Sequence, residues 1–181
     1  MSRQSLRVIA IAFTVVVVLP VIACVGVASL QPSSYRIERT REMAVDRAAV
    51  HAVLSDVERV AGAFATGEGA RATPQIVLSA DHSGVGAYFE HRLPDHRTRF
   101  TIAEQTEQRV VYDVSIEGQP AHSRFVADLT ATPGGSSLTL AIEGPIQTFL
   151  QKILWPVVNL EGRVAPELEQ TLSAIESAAR P

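Results

Sequence analysis

From Gln75 to Glu143 apolar residues recur at every second position through successive short stretches, and that alternation restricts the middle of the chain to β-structure. The stretches are Gln75–Ala80, Gly86–Leu93, Arg97–Gln105, Arg109–Glu117, His122–Thr132 and Ser136–Glu143. Turn-forming links separate them: Asp81-His82-Ser83-Gly84, Pro94-Asp95, Thr106-Glu107-Gln108, Gly118-Gln119-Pro120 and Pro133-Gly134-Gly135. Links that short leave no room for a crossover, so consecutive strands must run antiparallel, as a meander. One side of each strand is apolar: Phe89, His91 and Leu93; Phe100 and Ile102; Val110, Tyr112, Val114 and Ile116; Phe125, Ala127 and Leu129; Leu138, Leu140 and Ile142. The opposite side carries Glu90, Arg92, Arg99, Thr101, Asp113, Arg124, Asp128 and Thr139. The sheet is therefore expected to turn one face to water and the other to a core.

Helical spacing flanks this block. Tyr35 to Met43 alternates as one further strand, and Asp46 is placed to cap a helix whose Ala49, Val50, Val53 and Leu54 fall on one side. A second short helix is expected over Val57 to Phe64, then a loop from Thr66 to Pro74. After Pro145 the period of 3.6 returns, with Val164, Leu168, Leu172 and Ile175 on one face. A single long helix cannot fill the concave face of a curved sheet, so this order of elements predicts an α+β fold with a hollow between sheet and C-terminal helix. Ile146 to Leu160 is dense in apolar side chains and broken by Pro156. It reads either as the start of the long helix, bent at the proline, or as a flap that dips Trp155 into lipid headgroups.

Residues Val8 to Leu30 form an uncharged run that would span about 34 Å as a helix, against about 30 Å of bilayer hydrocarbon. Its length favours an uncleaved transmembrane anchor, with Pro20 tolerated as a modest kink. Two alternatives stand beside it. Val21-Ile22-Ala23-Cys24 resembles a bacterial lipobox, which would make Cys24 a lipoprotein anchor, and Ala28-Ser29-Leu30 is a poor version of a signal-peptidase site. Arg3 and Arg7 on the short N-terminal tail (residues 1–7) favour a cytoplasmic N-terminus, and hence a domain on the extracytoplasmic side of a bacterial inner membrane. Gln31 to Ser34 is a hinge that reaches about 14 Å when extended, and residues 35–181 form one domain.

Composition excludes several classes of function. The net charge is −3, or −5 without Arg3 and Arg7, and no basic stripe with interleaved aromatics exists, so nucleic acid is not an expected partner. The one cysteine lies in the apolar run, which denies the domain an internal disulfide and a thiol nucleophile. Asp81-His82, Glu90-His91 and Asp95-His96 pair acids with histidines, but strand neighbours point to opposite faces and no metal-site spacing is present. No metal or cofactor is expected. No Gly-x-Ser-x-Gly elbow occurs, and Gly67-x-Gly69 and Gly84-x-Gly86 do not open a helix after a strand.

Specific stretches carry a family likeness. Tyr35-Arg36-Ile37-Glu38-Arg39 leads into Val45-Asp46-Arg47-Ala48-Ala49-Val50-His51-Ala52-Val53-Leu54-Ser55-Asp56; Ser83-Gly84-Val85-Gly86-Ala87-Tyr88 turns into a strand; Gly134-Gly135-Ser136-Ser137-Leu138-Thr139-Leu140 makes a hairpin; Glu161 to Glu176 closes the chain. In this order they resemble the SRPBCC superfamily, the START-related helix-grip proteins, and within it the polyketide cyclase/dehydrase-like branch. Val57 to Thr73 lacks the tryptophans such proteins commonly carry there, and Leu140 stands where they place an aromatic residue. The resemblance implies a curved antiparallel sheet wrapped around a long C-terminal helix, and a pocket for a lipid, sterol or polyketide-like molecule. It brings no shared catalytic motif.

The inner face then supplies the candidate site. Phe89, His91, Phe100, Ile102, Tyr112, Val114, Phe125, Leu129 and Leu140 are the expected ligand-binding residues. His91 and Tyr112 are the candidates for chemistry, an imidazole and a phenol that could move protons on an enolisable ketone. The alternative is that both merely orient a ligand by hydrogen bonds. The residues favour a membrane-anchored binding module over a cyclase or dehydratase using His91 and Tyr112. A third reading is an interaction protein whose cavity is filled by its own side chains.

Overall fold

The alternating stretches form a seven-stranded antiparallel sheet in the order β1-β7-β6-β5-β4-β3-β2. The strands are β1 (Ser34–Met43), β2 (Gln75–Leu78), β3 (Tyr88–Arg92), β4 (Arg97–Thr106), β5 (Arg109–Ile116), β6 (His122–Thr132) and β7 (Gly135–Pro145). Helices α1 (Arg47–Leu54) and α2 (Val57–Ala65) separate β1 from β2, and α3 (Leu160–Ala179) ends the chain. This computed structural model describes residues 25–26, 29–65, 75–120, 122–146, 148, 151–152 and 159–180. Most of Val8–Leu30, including Pro20 and Cys24, lies outside them, as do the expected loop Thr66–Pro74 and Trp155 with Pro156. Among the described residues no helix is long and apolar enough to cross a membrane.

Two units make up the chain: Ser34–Pro145 with Leu160–Pro181, and Met1–Ser33 with Ile146–Asn159. In the second, the Ile146 amide donates to the Ser33 carbonyl at 2.8 Å. The Thr148 amide donates to Gln151 Oε1 (3.0 Å) and the Gln151 amide to Thr148 Oγ1 (3.1 Å), a reciprocal capping box that opens a helical turn.

In the first unit the sheet's concave face is covered by α1 against β6 and β7, by α2 against β2 and β3, and by α3 against β1 and β7. Val50, Val53 and Leu54 of α1 and Leu168, Leu172 and Ile175 of α3 are fully buried there with Leu129, Leu138 and Leu140. Burial of each such side chain contributes about 1.5–3 kcal/mol, and this cluster is the main apolar driving force. The Asp46 side chain makes no capping bond; only its carbonyl serves, accepting from the amides of Ala49 and Val50. Asp56 caps instead: its Oδ1 accepts from the amides of Glu58 (2.9 Å) and Arg59 (3.3 Å) and starts α2.

The Gly-Gly hairpin has a steric reason. Gly135 has φ +148°, and a Cβ there would strike the Met43 carbonyl and the Val45 nitrogen. This close approach lets the buried Ser136 hydroxyl donate to the Val45 carbonyl at 2.8 Å, which ties the hairpin to the β1–α1 link. The hinge is shorter than its sequence implied, because Ser34 already pairs with Pro145.

Two features put polar side chains on the inner face. A bulge at Ala103 shifts the β4–β5 register, so that Gln105 sits opposite Val110 on the inner face. On β1, Arg39 and Arg41 also point inward, where they pair with helix carboxylates: Arg39 with Glu161 (3.0 Å) and Arg41 with Glu169 (3.2 Å). The outer face is not purely polar either. Val111, Val126 and Ala141 form a buried patch on it. Arg36 reaches both Glu143 (2.8 Å) and Asp128 (3.9 Å), and so lies across that patch with its apolar stem.

Candidate functional site

Inward side chains cross the concave face in rows fixed by strand register, and their burial falls from one end of the sheet to the other. Leu129 opposes Leu138, and Val110, Ala127 and Leu140 align beside them; all are buried. The next row, Ile102–Tyr112–Phe125, is also buried. Beyond it runs Leu78–Phe89–Phe100–Val114, in which only Phe89 is fully buried. In the last row, His91–Thr98–Ile116, every member is half-buried. All nine residues expected to line a ligand site thus lie on one face, but they occupy two environments. Ile102, Tyr112, Phe125, Leu129 and Leu140 belong to the closed core, while Phe100, Val114 and His91 lie at the open end, with Phe89 between.

Aromatic rings concentrate where the two environments meet. Phe89 and Phe100 stack with centroids 4.6 Å apart and planes within 8°. Phe64, one residue before the end of α2, places its ring 4.6 Å from Phe125, 5.2 Å from Phe100 and 5.7 Å from Phe89. Contacts of this kind add about 0.5–1.5 kcal/mol per pair to simple burial. Alternation in the strands could not identify Phe64. Its signal is positional: it stands seven residues after Val57, on the buried side of an amphipathic helix, just before a Gly- and Pro-rich segment.

His91 and Tyr112 are not brought together. Phe89 lies between them, its ring centroid 5.3 Å from His91 and 6.0 Å from Tyr112. The Tyr112 hydroxyl donates to the Leu54 carbonyl at 2.5 Å, which satisfies the last turn of α1. Burial, and then the charge of Asp56, push the phenol far above its ordinary range, so it holds its proton. Burial also lowers the His91 pKa; the Ala61 carbonyl of α2 opposes this more weakly, and the ring is neutral at pH 7. Its Nε2 is buried and has no hydrogen-bond partner among the described residues.

Three of the other histidines serve local structure. His51 Nε2 meets the Thr106 carbonyl at 2.8 Å, His82 faces Glu58 at 3.3 Å and His96 contacts Asp95 at 2.8 Å. Among the described residues no three metal-ligating side chains converge. On the outer face Glu90 is covered by Arg92 (2.5 Å) and Arg99 (3.0 Å). Their hydrogen bonds, Arg92 first, hold its carboxyl below the usual range. Three hollows among the described residues are lined by none of the nine expected ligand-binding residues; the smallest, about 290 Å³, borders Ile116 of the last inner row with Glu90 and Arg99. One of about 750 Å³ lies where β1, β6 and β7 meet, beside Tyr35, Arg124 and Glu143, and one of about 820 Å³ lies between α2 and α3.

Solved structures share this architecture. Major latex-like protein 151 from Panax ginseng superposes with a TM-score of 0.58 at 12% identity, over 83% of this chain and 100% of its own. The fold is the helix-grip. Ara h 8.0201 matches with a TM-score of 0.52 at 16% identity, over 81% of this chain and 94% of its own. DynU16, a putative protein of the dynemicin biosynthetic locus, matches with 0.53 at 14% identity, over 83% of this chain and 50% of its own. At these identities the likeness concerns the helix-grip fold alone. No protein-family model matches the chain, and neither does any curated protein.

Proposed function

We propose that this chain is a membrane-tethered helix-grip module that binds a lipophilic small molecule at the His91 end of its concave face. One observation carries the proposal: toward His91 the inner face still presents large apolar side chains while their burial falls. Phe100, Val114 and Ile116, in the rows toward His91, are half-buried, whereas Leu129, Leu138 and Leu140, in the rows at the other end, are sealed. A face built only to be a core would close at both ends, because leaving apolar area half in water forfeits about 25 cal/mol per Å². The tether is the run Val8–Leu30, with the domain on the extracytoplasmic side; the helix-grip neighbours lend the idea of a ligand pocket by fold alone.

No reaction forms part of this proposal, because the Tyr112 proton is committed to Leu54 and Phe89 separates the phenol from His91. The filled-cavity reading has its own support in Phe64, whose ring occupies space above Phe89, Phe100 and Phe125. Solvent extraction of the purified full chain, followed by mass spectrometry, separates the two. Recovery of one lipid class at near-equimolar amount, beyond what the detergent micelle carries, supports the module. A chain that retains nothing, and takes up no apolar dye when Phe64 is replaced by alanine, is an interaction protein with a packed interior.

A further inference from the structure

We propose that the ligand carries a hydroxyl group, which docks on the Nε2 atom of His91 while its apolar body takes the place of the Phe64 ring. The inference rests on the ligand-binding reading and adds the chemistry that would be recognised.

His91 stands at the half-buried end of the inner face, beside Thr98 in its row and two aromatic residues: its ring lies 5.3 Å from Phe89 and 5.8 Å from Phe100. Its Nε2 is enclosed and bonds to nothing among the described residues. A buried polar atom left unpaired is costly, and proteins normally supply it with a partner. A residue kept only for bulk at this position could be phenylalanine or leucine, which would carry no such penalty. None of the described residues supplies that partner, and an arriving group can.

The state of the ring limits what that group is. Enclosure keeps the imidazole neutral, and the Ala61 carbonyl takes the ring N–H at the other nitrogen, which leaves Nε2 a lone-pair acceptor. A hydroxyl can donate to it. A carboxylate or phosphate would need the imidazolium, which the enclosure disfavours. The charged groups nearest in the strand pairing, Glu90, Arg92, Arg97 and Arg99, lie on the outer face or at its edge, and Glu90 is already held by Arg92 and Arg99. No cation is thus placed on the inner rows at this end, among the described residues, to receive an acidic headgroup. The body of the ligand needs flat apolar area, and the Phe64 ring now covers that area, against Phe89, Phe100 and Phe125.

A matched series tests this: 1-naphthol, 1-methylnaphthalene and 1-naphthoate, bound to the full chain in mild detergent with partition into empty micelles subtracted. The expected result is that the naphthol binds about tenfold more tightly than the methyl compound, the worth of one buried hydrogen bond. His91→Phe should erase that gap while leaving methylnaphthalene affinity within about twofold, and Phe64→Ala should tighten both. Thermal unfolding of each variant checks that it is folded. Equal affinity for naphthol and methylnaphthalene in the wild type, a gap that survives His91→Phe, or a preference for naphthoate would each overturn the hydroxyl assignment and leave ligand binding standing. Failure of all three compounds to bind both wild type and Phe64→Ala would overturn ligand binding itself.

Discussion

The two ends of the concave face have the same strand pattern and different fates. At the Leu138 end, Leu129, Leu138 and Leu140 are sealed by Val50, Val53 and Leu54 of α1 and by Leu168, Leu172 and Ile175 of α3. At the His91 end, Phe100, Val114 and Ile116 stay half-buried, and the ring of Phe64 lies 5.2 Å from that of Phe100. Alternation decides which face a residue takes; the helices that arrive later decide whether that face becomes core or site. The sheet's inner face is therefore divided into a sealed part that holds the fold and a half-buried part, on which the proposed binding site depends.

Truncations should expose this division. Leu140→Ala is expected to cost about 2–5 kcal/mol in urea unfolding, because the cavity it leaves is enclosed on all sides. Val114→Ala should cost only about 1 kcal/mol, since that side chain is already half in water. Equal losses would erase the distinction between the ends. Phe64→Ala comes next, at about 2 kcal/mol, below the roughly 3–5 kcal/mol of a fully buried phenylalanine such as Phe125. It should also increase fluorescence of an added apolar dye, whereas Leu140→Ala should not.

Tyr112→Phe keeps the ring and removes the donor to Leu54. The orphaned carbonyl should lower stability by about 1–2 kcal/mol, with little effect on dye uptake. The smallest effect is that of His91 on pH dependence. Its folded pKa lies below the ordinary 6.5, so the unfolded chain binds a proton that the folded chain refuses. Stability attributable to His91 is complete above pH 6.5 and declines as pH falls from there toward the folded pKa. Unfolding midpoints between pH 7.5 and 5.5 should fall less steeply in His91→Phe than in the wild type; identical slopes would mean that the imidazole is not excluded from water.

Much of this was legible in the residues, and the exceptions have physical causes. Period-two spacing and turn chemistry located every strand of the meander, since strand sides are set locally. Four features escaped. The Asp46 capping bond is absent, because a residue type favours a cap without guaranteeing its geometry. Gln105 turned inward because a bulge inserts one residue, which alternation has no means to show. Arg39 and Arg41 share the strand side of Ile37 and Met43, and their charges are tolerated there because helix carboxylates more than a hundred residues away receive them. Phe64 is contributed to the candidate site by a helix, and strand periodicity is blind to it. The site was legible as a face, and its partition into sealed and open halves depends on tertiary contacts with no local signature.

Photolabelling with a small apolar aryl diazirine tests the partition most directly. The full chain in detergent would be irradiated with the reagent and its adducts located by peptide mass spectrometry. The account predicts adducts in the domain at Phe64, Phe100, Val114 and Ile116, reduced by excess 1-naphthol. Adducts spread equally over Leu129, Leu138 and Leu140, or confined to Val8–Leu30, would contradict it.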